Sequence, residues 1–500
     1  MINALNGYSS TILMNVLSSN RDNLEDLSIQ LATGKRSQNY SGLGSVVSQS
    51  LDLRAQISSI SGYRSSIEQA QLQISVMNVA MERFVEIGSD VSGSATATEF
   101  SMTSENRSVG QAISETYARE MLGLLDSEVA GNFVFSGTTS ETQPTVNFDE
   151  ILYGISGQEG LVAVTDERIL ADAGADGRGR LALSTVGSTV TLSEEATDFG
   201  YKIDAVTSTL SNATVTGPAG VPPSVDVALT GAPSQGEVLS FTLSLPDGSS
   251  EVMRLTGVNG TGDPNEGTFS INGTPSSIAT EIETLLAHKI EESVQVEGEA
   301  ASRIQASLDF FLTSGNGEPK RVVGPDPATA TTLDTATAAG KPTVNWYVGD
   351  NNANDSRDTA KVLIDNNLQV SYGARANEDS LARQLAYISA FSIPTYDQDS
   401  PLDKNRYTVF ADSISTKLSS VQQDDVVKTI QTEIAVAHKM MSDADARHIT
   451  KNSVLQTASD GIVGVNDDEV AAKIMTLKNT IEASYQAASM MYQLTLTNFI

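Results

Sequence analysis

The residues able to do chemistry are few, and their spacing does not suit it. The chain of 500 residues has no cysteine and three histidines. That excludes disulfides, zinc–thiolate centres, iron–sulfur clusters and a cysteine nucleophile. His438 and His448 fall ten residues apart on a predicted helix, whereas a zinc-binding pair needs the i, i+4 spacing that puts both imidazoles on one face. Both are expected on solvated helix surface. Asp350-Asn351-Asn352-Ala353-Asn354-Asp355 has the outline of a calcium loop. Its sixth position is Asp355 rather than glycine and its twelfth is Lys361 rather than glutamate, so the sharp turn and the bidentate ligand are both missing. A solvated hairpin turn is expected there instead. Asp424 and Asp425 are adjacent acids, but neighbours on a helix point in different directions, which makes them helix-surface charge. The sequence has no P-loop, dinucleotide fingerprint or nucleophile elbow. No catalytic, cofactor-binding or metal-ligating residue is assigned, and the chain is expected not to be an enzyme.

Charge narrows the partners. Lys and Arg number 31 against 62 Asp and Glu, a formal charge of −31. Phosphates would be repelled, so neither nucleic acid nor an anionic membrane surface is expected as a partner. At 39% hydrophobic and 19% charged, the chain is too apolar for wholesale disorder. No segment approaches the ~18 uninterrupted apolar residues of a membrane span. Met1–Gly7 shows no basic region followed by an apolar core, so no Sec-type signal peptide is expected.

The elements come next. All 14 prolines lie between Pro144 and Pro401. Proline costs about 3 kcal/mol inside a helix, so the proline-free ends permit long helices. Residues 8–33 carry Leu13, Leu17 and Leu24 and stop at Thr33-Gly34-Lys35, a glycine stop with basic charge. From Leu53 a seam recurs every seventh residue, through Ile60, Ile67, Ile74 and Met81. Such a narrow stripe suits a long helix with one helical neighbour, and residues 46–92 would span about 70 Å. A third helix is predicted over 104–130 and a fourth over 406–458. Asn466-Asp467-Asp468-Glu469 supplies an N-cap and negative charge for a last helix, whose stripe runs through Val470, Ile474, Leu477, Ile481 and Met491 towards Leu496. Two arrangements of these ends remain open: antiparallel packing within one chain, or loose order until other subunits arrive.

The middle reads as strands and turns. Phe241–Leu245, the turn Pro246-Asp247-Gly248 and Glu251–Leu255 form a hairpin signal. Gly267–Ile271 is a further strand and Ser276–His288 a short helix. Stretches 209–236 and 314–342, rich in Thr, Ala, Gly and Pro, read as loops. Trp346–Val348 and Val362–Tyr372 look like strands. The predicted class is α+β multidomain: a long, discontinuous coiled-coil core made of the N- and C-terminal helices, with β-rich domains inserted between them. The expected boundaries are 1–140 for the N-terminal helical core and 405–500 for the C-terminal one. Residues 141–189 and 318–404 would form a middle domain, and 190–317 an inserted outer β-rich domain.

Several motifs, in order, carry a family resemblance. Leu31-Ala32-Thr33-Gly34-Lys35-Arg36 and Leu53-Arg54-Ala55-Gln56-Ile57 resemble the first turn and second helix of the flagellin superfamily, the bacterial flagellar filament and junction subunits. Asn132-Phe133-Val134-Phe135-Ser136-Gly137-Thr138, Tyr347-Val348-Gly349-Asp350, Val370–Gly373, Glu482–Ala487 and Leu494–Phe499 look more like its hook–filament junction branch than like flagellin proper. The resemblance covers roughly residues 1–140 and 343–500. Asn39–Gly44 departs from the family's acidic turn. Glu82–Ile87 departs from the segment by which innate immunity recognises flagellins, so that receptor is not assigned.

The resemblance implies a secreted structural subunit of the extracellular flagellum that serves motility. It implies export by the flagellar type III route, and helical homo-oligomer assembly through the terminal helices without a cofactor. Implied partners are neighbouring hook-associated proteins, flagellin and a flagellar export chaperone. The alternative is the main filament subunit, and a remoter one is a glycan-binding or enzymatic surface domain in the central insert, with Trp346 as a conceivable sugar platform. On the leading reading the assembly interface is Leu13, Leu17, Leu24, Leu53, Ile60, Ile67, Ile74 and Met81 with Val470, Ile474, Leu477, Ile481, Met491 and Leu496.

Overall fold

The computed structural model describes every residue except 1, 98–99, 314–316, 353–354, 424–425 and 498–500. Helices α1 (Ile2–Thr33), α2 (Val47–Ala97) and α3 (Val109–Leu125) come first, then the short pair β1 (Glu128–Val129) and β2 (Asn132–Phe133), and helices α4 (Phe148–Tyr153) and α5 (Leu161–Ala173). Eight strands follow: β3 (Leu181–Val186), β4 (Thr189–Glu194), β5 (Lys202–Ser208), β6 (Ala213–Ala219), β7 (Ser224–Leu229), β8 (Val238–Ser244), β9 (Ser250–Val258) and β10 (Thr268–Ser270). Helix α6 (Pro275–Ser293) runs through a π-turn at Val294–Gly298 into α7 (Glu299–Phe311). The pair β11 (Lys320–Val322) and β12 (Leu333–Thr335), the turn α8 (Ala336–Ala339) and the hairpin β13 (Lys361–Asp365) with β14 (Leu368–Ser371) lead to α9 (Asp379–Ser392), α10 (Pro401–Gln423), α11 (Val426–Val463) and α12 (Asp467–Thr497). The protein is α+β. Long N-terminal helices pack against long C-terminal ones, α1 on α12 and α2 on α11, and the sheets lie between them in sequence.

The chain forms two bodies. One holds Met1–Gln69, Leu363–Val370 and Lys439–Ile500; the other holds Ala70–Val362 and Ser371–His438. In the first, α1 ends at Gly34, whose φ of +65° only glycine adopts without strain. The turn is then tied to the α11–α12 junction: the Arg36 amide donates to the Val463 carbonyl at 2.7 Å, and the Val465 amide to the Gly34 carbonyl at 3.1 Å. Asn466 caps α12, its Oδ1 accepting from the amides of Asp468 and Glu469 at 3.0 and 3.3 Å. Predicted start and predicted stop thus meet in one structure.

The second body contains the sheets. Orders β3-β4-β7-β6 and β10-β9-β8-β5 share one core with α6. Alternation supplies it: Val190 and Leu192, Val225 and Val227, Phe241 and Leu243, Met253 and Leu255 point inward. The predicted hairpin is present, with Leu243 opposite Glu251. Two ties join this layer to α10. Lys417 Nζ reaches Asp247 Oδ2 at 2.9 Å, and Arg406 Nε donates to the Gln295 carbonyl at 2.8 Å.

Four expectations need correction. Stretch 209–236 is not loop, because it holds β6 and β7 in an antiparallel pair. The inward Val225, Val227 and Leu229 supply the core contacts that override its turn-rich composition. Stretch 314–342 likewise holds β11, β12 and α8. The predicted third helix, 104–130, is shorter, starting at a capping box on Ser108. Trp346–Val348 is a single bridge from Tyr347 to Thr145 rather than a strand, whereas Val362–Tyr372 does form strands, β13 and β14.

Candidate assembly surface

The predicted interface residues divide by exposure. Leu53, Ile60, Ile67, Ile74 and Met81 on α2, and Val470 and Ile481 on α12, are buried within the single chain. Leu17, Leu24, Ile474 and Leu477 are half-buried. Leu13, Met491 and Leu496 lie on α1 and α12, and their side chains fall outside what the structure describes. A seam at seven-residue spacing identifies what a helix covers, whether the cover comes from its own chain or from a neighbour.

The first body's exposed apolar side chains are different ones. Met14 is 68% exposed, Met475 70% and Met490 60%, and Ile12, Val16, Leu51 and Tyr485 are also open to solvent. Helix α1 has 32 residues and packs on α12, so apolar positions away from that contact stay uncovered. Sequence reading picked out Ile12 and Val16 as apolar positions of the first helix, but passed over Met14, Leu51, Met475 and Met490 because they sit off the stripes it followed. Between the helices runs a groove of about 590 Å³, whose lining includes Leu27 and Leu477 together with Asp26, Gln30, Glu469, Lys473 and Thr476.

Charge follows the same division. The first body holds 10 Lys and Arg against 13 Asp and Glu, a formal −3. The second holds 21 against 49, a formal −28. Apolar exposure and near-neutrality therefore coincide in the body that carries both chain ends.

The residues considered for chemistry are placed otherwise. His438 is exposed, as expected. His448 is not: it is 3% exposed, with Nε2 at 2.7 Å from the Ile364 carbonyl oxygen. Asp350 is buried rather than solvated, and its carboxylate accepts from the Asn352 amide at 3.0 Å and from the Thr138 amide at 3.3 Å. Burial pushes its pKa up, but these bonds, that of the Thr138 hydroxyl and the Arg375 charge outweigh it and hold it below the usual value. Asp424 and Asp425 lie outside the described residues. Trp346 is fully buried, donating Nε1–H to the Phe311 carbonyl at 2.9 Å, so its ring offers no face to a sugar. Among the described residues no group of three or more His, Asp or Glu is arranged to hold a metal ion. Nor is any described helix long and apolar enough to cross a membrane.

The second body does bury charge. Arg168 Nε donates to Asp172 Oδ2 at 2.8 Å, and its Nη1 to Asp309. Arg321 Nε donates to Glu167 Oε2 at 2.9 Å, and Lys341 also reaches Glu167. Glu251 accepts from Ser293, whose Oγ lies 2.8 Å from the Tyr201 hydroxyl. Burial pushes the Glu251 carboxyl up to about 7, with Glu297 and Glu292 adding to the shift and Ser293 and Lys289 opposing it. Ser293 and Tyr201 are both buried, and Glu251 is half-buried. The sequence signal for these clusters was faint, since each pairs residues far apart in the chain.

No protein-family model and no curated protein matches the chain.

Proposed function

We propose that this chain is a structural subunit that self-assembles through its first body, as flagellar filament and junction subunits do. The observation that carries it is the coincidence, in the helical body, of exposed Met14, Met475 and Met490 with a formal charge of −3 beside a second body at −28. Large apolar side chains left in water favour association at about 25 cal/mol per Å² buried, and the near-balance of charge there opposes it least. The acidic second body keeps such an assembly soluble. The motif resemblance supplies the setting: export through the flagellar type III channel and assembly at the hook–filament junction, beside hook-associated proteins and flagellin.

The test is negative-stain microscopy of purified protein, with and without isolated hooks, for wild type and Met475→Asp. Met475 is exposed, so the variant keeps its fold, unlike an Asp at buried Ile67. A short collar on hook ends, lost in the variant, supports the junction role. Long filaments from protein alone point to the main filament subunit. No association in either setting overturns self-assembly.

A further inference from the structure

The two four-stranded sheets have four edges, and three carry a device against pairing. Strand β5 has Lys202, Asp204 and a register shift between Ile203 and Ala205. Strand β6 has Pro218, with Pro222 just beyond it, and a shift between Thr216 and Ala219. Strand β10 is three residues long. Charge, proline, irregularity and shortness are the usual ways an edge is kept from templating another strand.

Strand β3 has none of them. Leu181-Ala182-Leu183-Ser184-Thr185-Val186 pairs with β4 in unbroken antiparallel register. Beyond that ladder, no backbone hydrogen bond among the described residues involves 182–186. Ala182 and Ser184 are exposed and Val186 is 79% exposed, while the Thr185 hydroxyl is buried without a partner. The 13 residues from Leu181 to Ser193 carry no charge, in a body of formal −28. Most approaches between two copies of that body bring acidic side chains together; at this hairpin no charged side chain adds to the repulsion.

We propose that β3 pairs with β3 of a second copy of this chain, antiparallel about a two-fold axis, joining two four-stranded sheets into one of eight. Self-pairing is isologous, so one uncharged strand supplies both halves of the contact. An acidic partner would meet the same repulsion as a second copy placed anywhere else. The contact lies in the second body and does not depend on the helical assembly proposed above.

The test uses full-length protein carrying Met475→Asp, so that helical assembly does not contribute. Sedimentation velocity across a concentration series should show a monomer–dimer equilibrium. Adding Ser184→Lys, an exposed change that sets two like charges across the axis, should weaken the dimer by roughly tenfold or more. Thr214→Lys on the opposite edge should leave it unchanged, and circular dichroism should be the same for all three. Because the chain has no cysteine, Ser184→Cys beside the axis should crosslink with itself under mild oxidation, Ala182→Cys should crosslink with Val186→Cys when the two are mixed, and Tyr153→Cys should not. A monomer at every concentration, or a dimer indifferent to Ser184→Lys, overturns the proposal. An edge that captures only an added extended peptide, with no self-association, overturns it too. The Met14 and Met475 contacts of the helical body are untouched by any of these results.

Discussion

The imidazole of His448 stacks on the phenol ring of Tyr63, with centroids 5.6 Å apart and planes 22° from parallel. One residue along from Tyr63, Arg64 Nε donates to Asp445 Oδ1 at 2.7 Å, so α2 and α11 are fastened twice within a turn. His448 Nε2 also meets the buried carbonyl of Ile364 in β13. A carbonyl only accepts, so Nε2 carries the proton. His448→Ala removes both the stack and the donor, leaving that carbonyl unpaired, and should cost about 1–3 kcal/mol. His448→Gln keeps an N–H donor at a similar reach and should recover part of it. Thermal unfolding by far-UV circular dichroism would check this; equal midpoints for wild type and both variants would remove His448 from the account.

Glu251 gives stability a pH dependence of known sign. Its carboxyl rises from an ordinary 4.5 to about 7, chiefly through burial. The folded state therefore holds this proton more tightly than the unfolded chain does. The contribution is fully present below about pH 4.5 and is lost as pH rises through about 7. Glu251→Gln, neutral at every pH, should match wild type in acid and exceed it by about 1–3 kcal/mol above pH 8. Urea unfolding of both proteins at pH 5 and pH 8 reads the difference. Parallel curves at the two pH values would show that Glu251 titrates normally.

Arg168 is the linchpin of a buried charge cluster on α5. It sits between Asp172 and Asp309, all three buried, with its guanidinium 5.3 Å from the centre of the Phe199 ring. Burial pushes the Asp309 carboxyl up, and Arg168 opposes that shift. Arg168→Met leaves two carboxyls without a cation and should cost about 3–5 kcal/mol, the usual result of stripping one partner from a buried pair. Restoring volume does not restore charge, so adding Asp309→Asn to the same chain should recover a measurable part. Denaturant midpoints for the single and double variants decide it. Additive losses would mean the two residues do not interact.

These residues also mark what the sequence could and could not disclose. Gly34 and Asn466 were legible because capping and left-handed backbone are local demands met by local residue types. The 241–255 hairpin was legible for the same reason. His448 was misjudged because its burial comes from Tyr63 and Ile364, hundreds and tens of residues away, and no helical period announces it. Strands β6 and β7 were missed because the edge strand β6 needs few apolar residues, and its Gly217 and Pro218 outweighed Val225 and Val227 of the interior strand β7 in a local reading. The seam from Leu53 to Met81 found a helix face that is covered, but covered within one chain. The exposed positions Met14 and Met475 required a structure, since exposure is a property of what else is nearby.

Salt should separate the two bodies' roles in assembly. Apolar contacts through Met14, Met475 and Met490 change little with moderate salt. Repulsion between second bodies of formal −28 is long-ranged and is screened as the Debye length falls to about 10 Å at 0.1 M and 3 Å at 1 M. Raising sodium chloride should therefore shorten the lag before light scattering rises and lower the concentration needed for assembly. Met475→Asp should remain defective at every salt concentration, because its loss is of apolar contact as well as of neutrality. Assembly that weakens as salt is added would mean that ion pairs, rather than exposed methionines, hold the copies together, and would move the interface to the charged side chains Asp26, Glu469 and Lys473.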